Sequence, residues 1–229
     1  MKPNDLKPPF PKRENRCVTI DDRVWYIPDM DTQEESFVFP GWDHSSLFGN
    51  KNPVCVEYCS GNGAWIAQKA KENPNINWVA VEIRFMRTRK IWSKIKNYQL
   101  DNLIVICGEG MHATKKYFPE SSIQHVYVNF PDPWPKRRHA KNRIIQSNFV
   151  KEMERITVPG GELTLVTDDE NYSEQMIEVV SANPSFRSLF PKPFYVTDTK
   201  NYGVSWFEVL WREKGKLIRF HQFSKVPAL

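Results

Sequence analysis

The 229 residues contain only four cysteines, Cys17, Cys55, Cys59 and Cys107, and no two of them form a Cys-x-x-Cys pair. That excludes a disulfide framework and leaves no zinc-finger spacing; the cysteines inside apolar segments read as reduced core thiols. No stretch approaches the roughly 18 continuous apolar residues that a membrane span needs, and MKPNDLKPPFPKREN at the start lacks the apolar centre of a signal peptide. A cytoplasmic protein with no membrane association is therefore expected. Neither sign of charge dominates: 32 Lys and Arg face 27 Asp and Glu, and the resulting +5 is mild. Such an excess suits a polyanionic partner without identifying one, so the distribution of charge matters more than its sum. There is no internal repeat and no low-complexity tract.

A chain of this length buries one substantial core, which predicts a catalytic domain over residues 51–229 and an extra arm over 1–50. Pro3, Pro8, Pro9 and Pro11 deny the first residues a regular helix or central strand. From Val24 to Gly49 aromatics return (Trp25, Tyr26, Phe37, Phe39, Trp42, Phe48) without a clean period, so an irregular segment packed on the domain, or a cap over a sheet edge, is expected. From Pro53 on, compact apolar runs alternate with helical patterns. Strands are predicted over 54–58, 77–82, 103–107, 123–130 and 161–167. Helices are predicted over 64–72, 85–98, 112–118, 143–157 and 171–182, and apolar segments near 193–196 and 205–211 complete the domain. In 143–157, Ile145, Phe149, Met153 and Ile156 recur every three or four residues, as an amphipathic helix requires. Strands separated by helices imply an α/β fold: a mostly parallel, Rossmann-like sheet with helices on both faces.

The first chemical signal is Glu57-Tyr58-Cys59-Ser60-Gly61-Asn62-Gly63, where a strand gives way to a helix. Two glycines there permit a tight turn and close approach of a ligand to the backbone. The third glycine of the dinucleotide fingerprint is missing, and Glu57 just ahead of the turn discourages a phosphate, so a nicotinamide enzyme is disfavoured. Glu82 stands twenty-five residues after Glu57 at the end of the next strand, placed to accept from both ribose hydroxyls, and Glu109 follows the third strand, placed to accept from an adenine amino group. Each feature alone is ordinary: a Gly-x-Gly turn is more often structural, and a single loop acid is often solvated. Three acids at successive strand ends describe a nucleoside pocket without phosphate chemistry.

The most specific segment is Asn129-Phe130-Pro131-Asp132-Pro133-Trp134-Pro135-Lys136-Arg137-Arg138-His139, leaving the fourth strand. Its three prolines stiffen the backbone and present Asp132 and Trp134 on a loop. Lys136, Arg137, Arg138, Lys141 and Arg143 then crowd five cations into eight positions around His139, dense enough for several phosphates. Trp134 either stacks on a base or plugs the loop against the core. His44, His112, His125 and His221 have no ligand spacing and read as structural or surface residues. Asp168, after strand LTLVT, either belongs to the site or caps the following helix.

These residues resemble the bacterial tRNA (guanine-N7)-methyltransferase family, over about residues 40–213. The resemblance rests on LFGNKNP (47–53), EYCSGNG (57–63), VEIR (81–84), NFPDPWPKRRHAKNR (129–143), VPGGEL (158–163), TDDENY (167–172) and SWFE (205–208). It implies a seven-stranded class I methyltransferase fold, S-adenosyl-L-methionine as cofactor, and methyl transfer to N7 of guanine 46 in the variable loop of tRNA. It implies no obligatory protein partner and leaves monomer or homodimer open. Glu57, Gly61, Gly63, Glu82 and Glu109 then correspond to cofactor contacts. Asp132 corresponds to the essential carboxylate beside the cofactor. Lys136, Arg138, His139, Arg143, Asp168, Ser205 and Glu208 correspond to substrate contacts. Three positions depart from the family pattern. Cys59-Ser60 replaces a glycine-containing pair, so Cys59 must tolerate the angles of the turn; Asn142 removes a cation; Ser205 stands for a threonine.

Guanine N7 carries an in-plane lone pair and no hydrogen, so it attacks directly and in line, with no obligatory general base. The resemblance leaves Asp132 either to orient the guanine N1 and N2 hydrogens or to stabilise charge developing on the base. Two rivals are an exocyclic-amine methyltransferase, because NFPDPW resembles an Asn-Pro-Pro-aromatic loop, and an RNA-binding module without activity. Asp132 between the prolines and the adjoining cations speak against the first, and the intact set of acids against the second.

Overall fold

A computed structural model describes residues 1–8, 17–28, 37–200, 202–203 and 205–226, apart from the side chain of Arg137. The expectations for residues 9–16 and 29–36 of the arm fall outside these residues. The chain packs as two units, Met1–Phe118 and Pro119–Leu229.

In the first unit, β1 (Thr19–Asp21) and β2 (Val24–Tyr26) precede β3 (Val54–Tyr58), α1 (Ala64–Glu72), β4 (Asn77–Glu82), α2 (Phe85–Tyr98), β5 (Leu103–Cys107) and α3 (Gly110–Tyr117). The strand order is β1-β2-β5-β4-β3. β3, β4, β5 and β2 run parallel, and β1 is antiparallel to β2. Every residue of β3, β4 and β5 is buried, the burial expected of parallel strands covered on both faces. α1 and α2 pack on β4, and α2 on β5 as well, with Ile91, Trp92 and Ile95 on the inward face of α2.

The segment expected to be irregular contributes a strand. β1 and β2 are joined through Asp22 and Arg23, both at positive φ (46° and 69°), the angles of a two-residue hairpin turn whose twist suits the flanking strands. β2 extends the edge at β5, and Trp25, fully buried, collects Phe39 (stacked, 5.3 Å), Phe37 and Trp42, together with Tyr117 and Phe118 at the end of α3. The aromatics lack a period because they converge on one indole from a loop.

The second unit contains β6 (Ile123–Asn129), α4 (Ser147–Ile156), β7 (Thr157–Thr167), α5 (Glu170–Ser181), β8 (Phe186–Ser188), α6 (Trp206–Glu213) and β9 (Arg219–Lys225), with strand order β6-β7-β9-β8. β6 and β7 are parallel; β9 lies between β7 and β8, antiparallel to both. His221 on β9 is fully buried, with Ser173 Oγ at 3.0 Å and the Phe194 carbonyl at 3.2 Å; burial pushes its pKa down to about 4, so it serves as a neutral structural group.

Two expectations are corrected. Nine strands are described, where seven were expected; the β1–β2 hairpin, from the arm, lies outside the seven of the family pattern. The helix expected from 143 begins at Ser147, because Arg137–Asn142 forms a 3-10 turn and Arg143 and Gln146 are extended. Ile145 keeps its place in the core from outside the helix: it is fully buried, and its N–H donates to Tyr172 Oη at 3.1 Å.

Candidate active site

In the first unit the three acids stand at the carboxyl ends of adjacent parallel strands. Glu57 is next to last in β3, Glu82 ends β4, and Glu109 is two residues beyond β5. Glu57 and Glu82 are buried, 2% and 4% exposed, whereas Glu109 is at the surface. The turn from β3 to α1 is tied to β4 by short polar contacts. Gly61 N–H donates to Glu82 Oε2 at 3.0 Å, while Arg84 N–H donates to Oε1 at 2.9 Å. Ser60 Oγ donates to the Glu57 carbonyl (2.8 Å) and accepts from Val81 N–H (3.2 Å), and Ser60 N–H donates to the Val81 carbonyl (3.2 Å). Sequence reasoning gave Ser60 no role; a hydroxyl directly before a glycine turn was the available signal.

Both glycines are needed for the shape of this turn. Gly61 and Gly63 have φ of 57° and 69°, and a Cβ on Gly63 would lie 2.6 Å from Ile91 Cγ1. Cys59 adopts the angle foreseen from the loss of a family glycine, φ 61°, a conformation that L side chains disfavour. Glu109 caps α3, accepting from Met111 N–H (3.0 Å) and His112 N–H (2.6 Å), which fixes its carboxylate just past β5. Buried or capped carboxylates around a glycine turn favour hydroxyl, amine or cationic groups and disfavour phosphate.

In the second unit, the segment leaving β6 is bent, with the exposed Asp132 and Pro135 among covered residues. Phe130 and Trp134 take φ of 48° and 43°, and proline stands at 131, 133 and 135. Phe130 packs against the cluster of Val166, Ile218 and Phe220, and Tyr202 Oη donates to Asn129 Oδ1 at 2.5 Å, so the root of the loop is anchored. Nothing in the sequence marked Tyr202. Asp132, Lys136 and Arg138 are exposed, and the half-buried Trp134 meets His139 edge-on at 5.9 Å.

Arg143, expected among the phosphate-facing cations, has its guanidinium inside the unit. It is 8% exposed, its Nε donates to the Pro133 carbonyl (2.7 Å), one terminal nitrogen donates to Gln175 Oε1 (2.6 Å), and its plane lies 4.7 Å from the Tyr172 ring centroid. It braces the proline loop against α5. Helix α5 is capped by Asp169, which accepts from Tyr172 N–H at 2.8 Å, so the capping alternative for Asp168 falls away. Burial raises the Asp168 carboxyl above its usual range, an effect opposed by Lys216 and Arg219. Ser205 caps α6, accepting from Glu208 N–H at 3.0 Å, and the buried Glu208 accepts from Arg212 Nε at 3.0 Å. The Ser-x-x-Glu pattern is thus a helix start that holds an acid under cover. Among the described residues, no group of three His, Cys, Asp or Glu is placed to hold a metal, and no helix is long and apolar enough to cross a membrane.

Comparison with known proteins gives this geometry a context. The profile of a family described as "Putative methyltransferase" matches residues 51–220. Among solved structures, the antibiotic-resistance methyltransferase Kmr superposes with a TM-score of 0.53 at 15% identity, covering 77% of this chain and 88% of that one. The fold is that of the Rossmann-like class I methyltransferases, whose cofactor is S-adenosylmethionine. Relatives named tRNA (guanine-N(7)-)-methyltransferase include one from Chlamydia muridarum, 47% identical over 98% of each chain. Another, from Rubrobacter xylanophilus, is 32% identical over 78% of this chain and 79% of its own. The chain belongs to the tRNA (guanine-N(7)-)-methyltransferase family. The first unit fits the family's cofactor, which carries ribose hydroxyls, amino groups and a sulfonium but no phosphate: Glu82 is fixed by two backbone donors at the lip of a turn that requires positive φ.

Proposed function

We propose that this protein transfers a methyl group from S-adenosylmethionine to N7 of a guanine in tRNA, at position 46 of the variable loop. The observation that carries the reading is Asp132, an exposed acid between two prolines on a loop rooted by Phe130 and Tyr202 and continuous with the basic segment 136–143. Glu57, Glu82, Glu109 and the turn through Gly61 and Gly63 hold the cofactor, which supplies an electrophilic methyl when bound. Asp132 fixes the guanine through its N1 and N2 hydrogens. N7 needs no deprotonation, so orientation and electrostatics do the catalytic work.

Lys136, Arg138 and His139 engage the RNA backbone and Trp134 stacks on a base. Arg143 supports the same contact by bracing Pro133. The raised pKa of the half-buried Asp168 and the covered Glu208 suit hydrogen bonding to the target base, with Ser205 setting the start of α6. The substrate belongs to the cytoplasmic tRNA pool.

The test is incubation with methyl-labelled S-adenosylmethionine and unmodified tRNA transcripts, followed by digestion and identification of the labelled nucleoside. Label in 7-methylguanosine at the variable loop is expected. Label in an amino-methylated base, or at another position, would overturn the reading.

A further inference from the structure

Helix α2 has a charge pattern that the reading above leaves unexplained. Its fourteen residues, FMRTRKIWSKIKNY, include Arg87, Arg89, Lys90, Lys94 and Lys96 and no acid. This one helix carries as much positive charge as the formal +5 of the whole chain, so the rest of the sequence is balanced. Arg87, Lys90 and Lys94 are spaced i, i+3 and i+7 and share one face. Local electrostatics oppose that arrangement. Like charges three and four residues apart destabilise a helix, and Arg87 stands in the first turn, at the positive end of the helix dipole.

The other two cations of α2 are engaged away from this face. Lys96 pairs with Asp22, and Arg89 donates to the Leu6 carbonyl at 2.9 Å. On the shared face, Arg87 lies 3.8 Å from Glu82, Lys90 is exposed, and Lys94 Nζ donates to the Asn62 carbonyl of the cofactor turn at 3.0 Å. Burial, reinforced by the charge on Lys90, holds the Lys94 ammonium below its ordinary pKa. From Arg87 to Lys94 the face extends roughly 10 Å along the helix axis, room for about two or three backbone phosphates.

We propose that Arg87, Lys90 and Lys94 form a phosphate-binding track for the body of the tRNA, carried by the first unit and additional to the basic segment 136–143 of the second. The proposal rests on the tRNA reading above. Lys90 is the cleanest probe, being exposed and outside the cofactor contacts. In Lys90→Gln, the Kd for tRNA at low salt should rise about 3- to 10-fold, and the slope of log affinity against log salt should fall by about 1. Lys90→Glu should weaken binding further, and Lys90→Arg should restore it. Cofactor affinity, melting temperature and transfer rate at saturating tRNA should stay at wild-type values in all three. Wild-type tRNA affinity and salt slope in both Lys90→Gln and Lys90→Glu would overturn the track, leaving an acidic protein surface as the partner to test. If the wild-type protein neither binds nor methylates tRNA, the functional reading itself falls; if it does both and Lys90→Gln is indistinguishable from it, only the track falls.

Discussion

The cofactor turn and the Asp132 loop both follow a parallel strand, yet they are built in opposite ways. In the first, carboxylates are buried or capped, and Glu82 is fixed by backbone N–H groups at 2.9 and 3.0 Å. In the second, Asp132, Lys136 and Arg138 stand in the open, with rigidity supplied from below by Phe130, Tyr202 and Arg143. On the roles proposed above, the difference follows from ligand size. A small molecule is recognised by groups already desolvated and oriented, whereas a polyanion is met by exposed charges that gain energy by releasing its counterions.

That contrast can be broken at three places. The largest effect is expected for Asp132→Asn: single-turnover transfer at saturating cofactor and tRNA should slow by about 100-fold or more, with the melting temperature unchanged. An unchanged rate would remove Asp132 from the chemistry. Next, Glu82→Gln should raise the cofactor Kd by about tenfold, because an amide replaces the charged acceptor of two backbone N–H groups, and calorimetric titration measures it. Loss of tRNA affinity with intact cofactor affinity would invert the comparison. The smallest effect belongs to Cys59→Gly. Relief of the left-handed backbone at φ 61° outweighs the added freedom of the unfolded chain, so stability should rise by about 0.5–1 kcal/mol, seen as a higher midpoint in thermal unfolding. A lower midpoint would show that packing of the thiol matters more than the strain.

What was legible in the sequence follows the same divide. β3, β4 and β5 and helices α1 and α2 matched their expected spans because continuous apolar runs and clean helical spacing leave little choice of conformation. β2 escaped because its three residues gain their stability from pairing with β5 and from the aromatic cluster around Trp25, contacts remote in sequence. β8 and β9 escaped for a similar reason: Arg219–Lys225 reads as mixed polar and aromatic, and only the antiparallel partners on both sides make it a strand. Among the site residues, the acids at strand ends could be located by counting. The inward turn of Arg143 could not, since a cation in a basic run carries no mark of which carbonyl or ring it will meet. Nor did the sequence separate Asp168 from Asp169; the first N–H groups of α5 decide which of them caps.

The position of β9 between β7 and β8 has a consequence for synthesis. The second unit pairs β8 only with β9, so residues 186–188 wait for residues 219–225 before they have a partner. On the ribosome the first unit, whose pairings among β1–β5 lie within residues 19–107, can collapse early. The second exposes an unsatisfied edge of β7 until β9 emerges and closes it. The interval between the two events is when this chain most needs protection from aggregation.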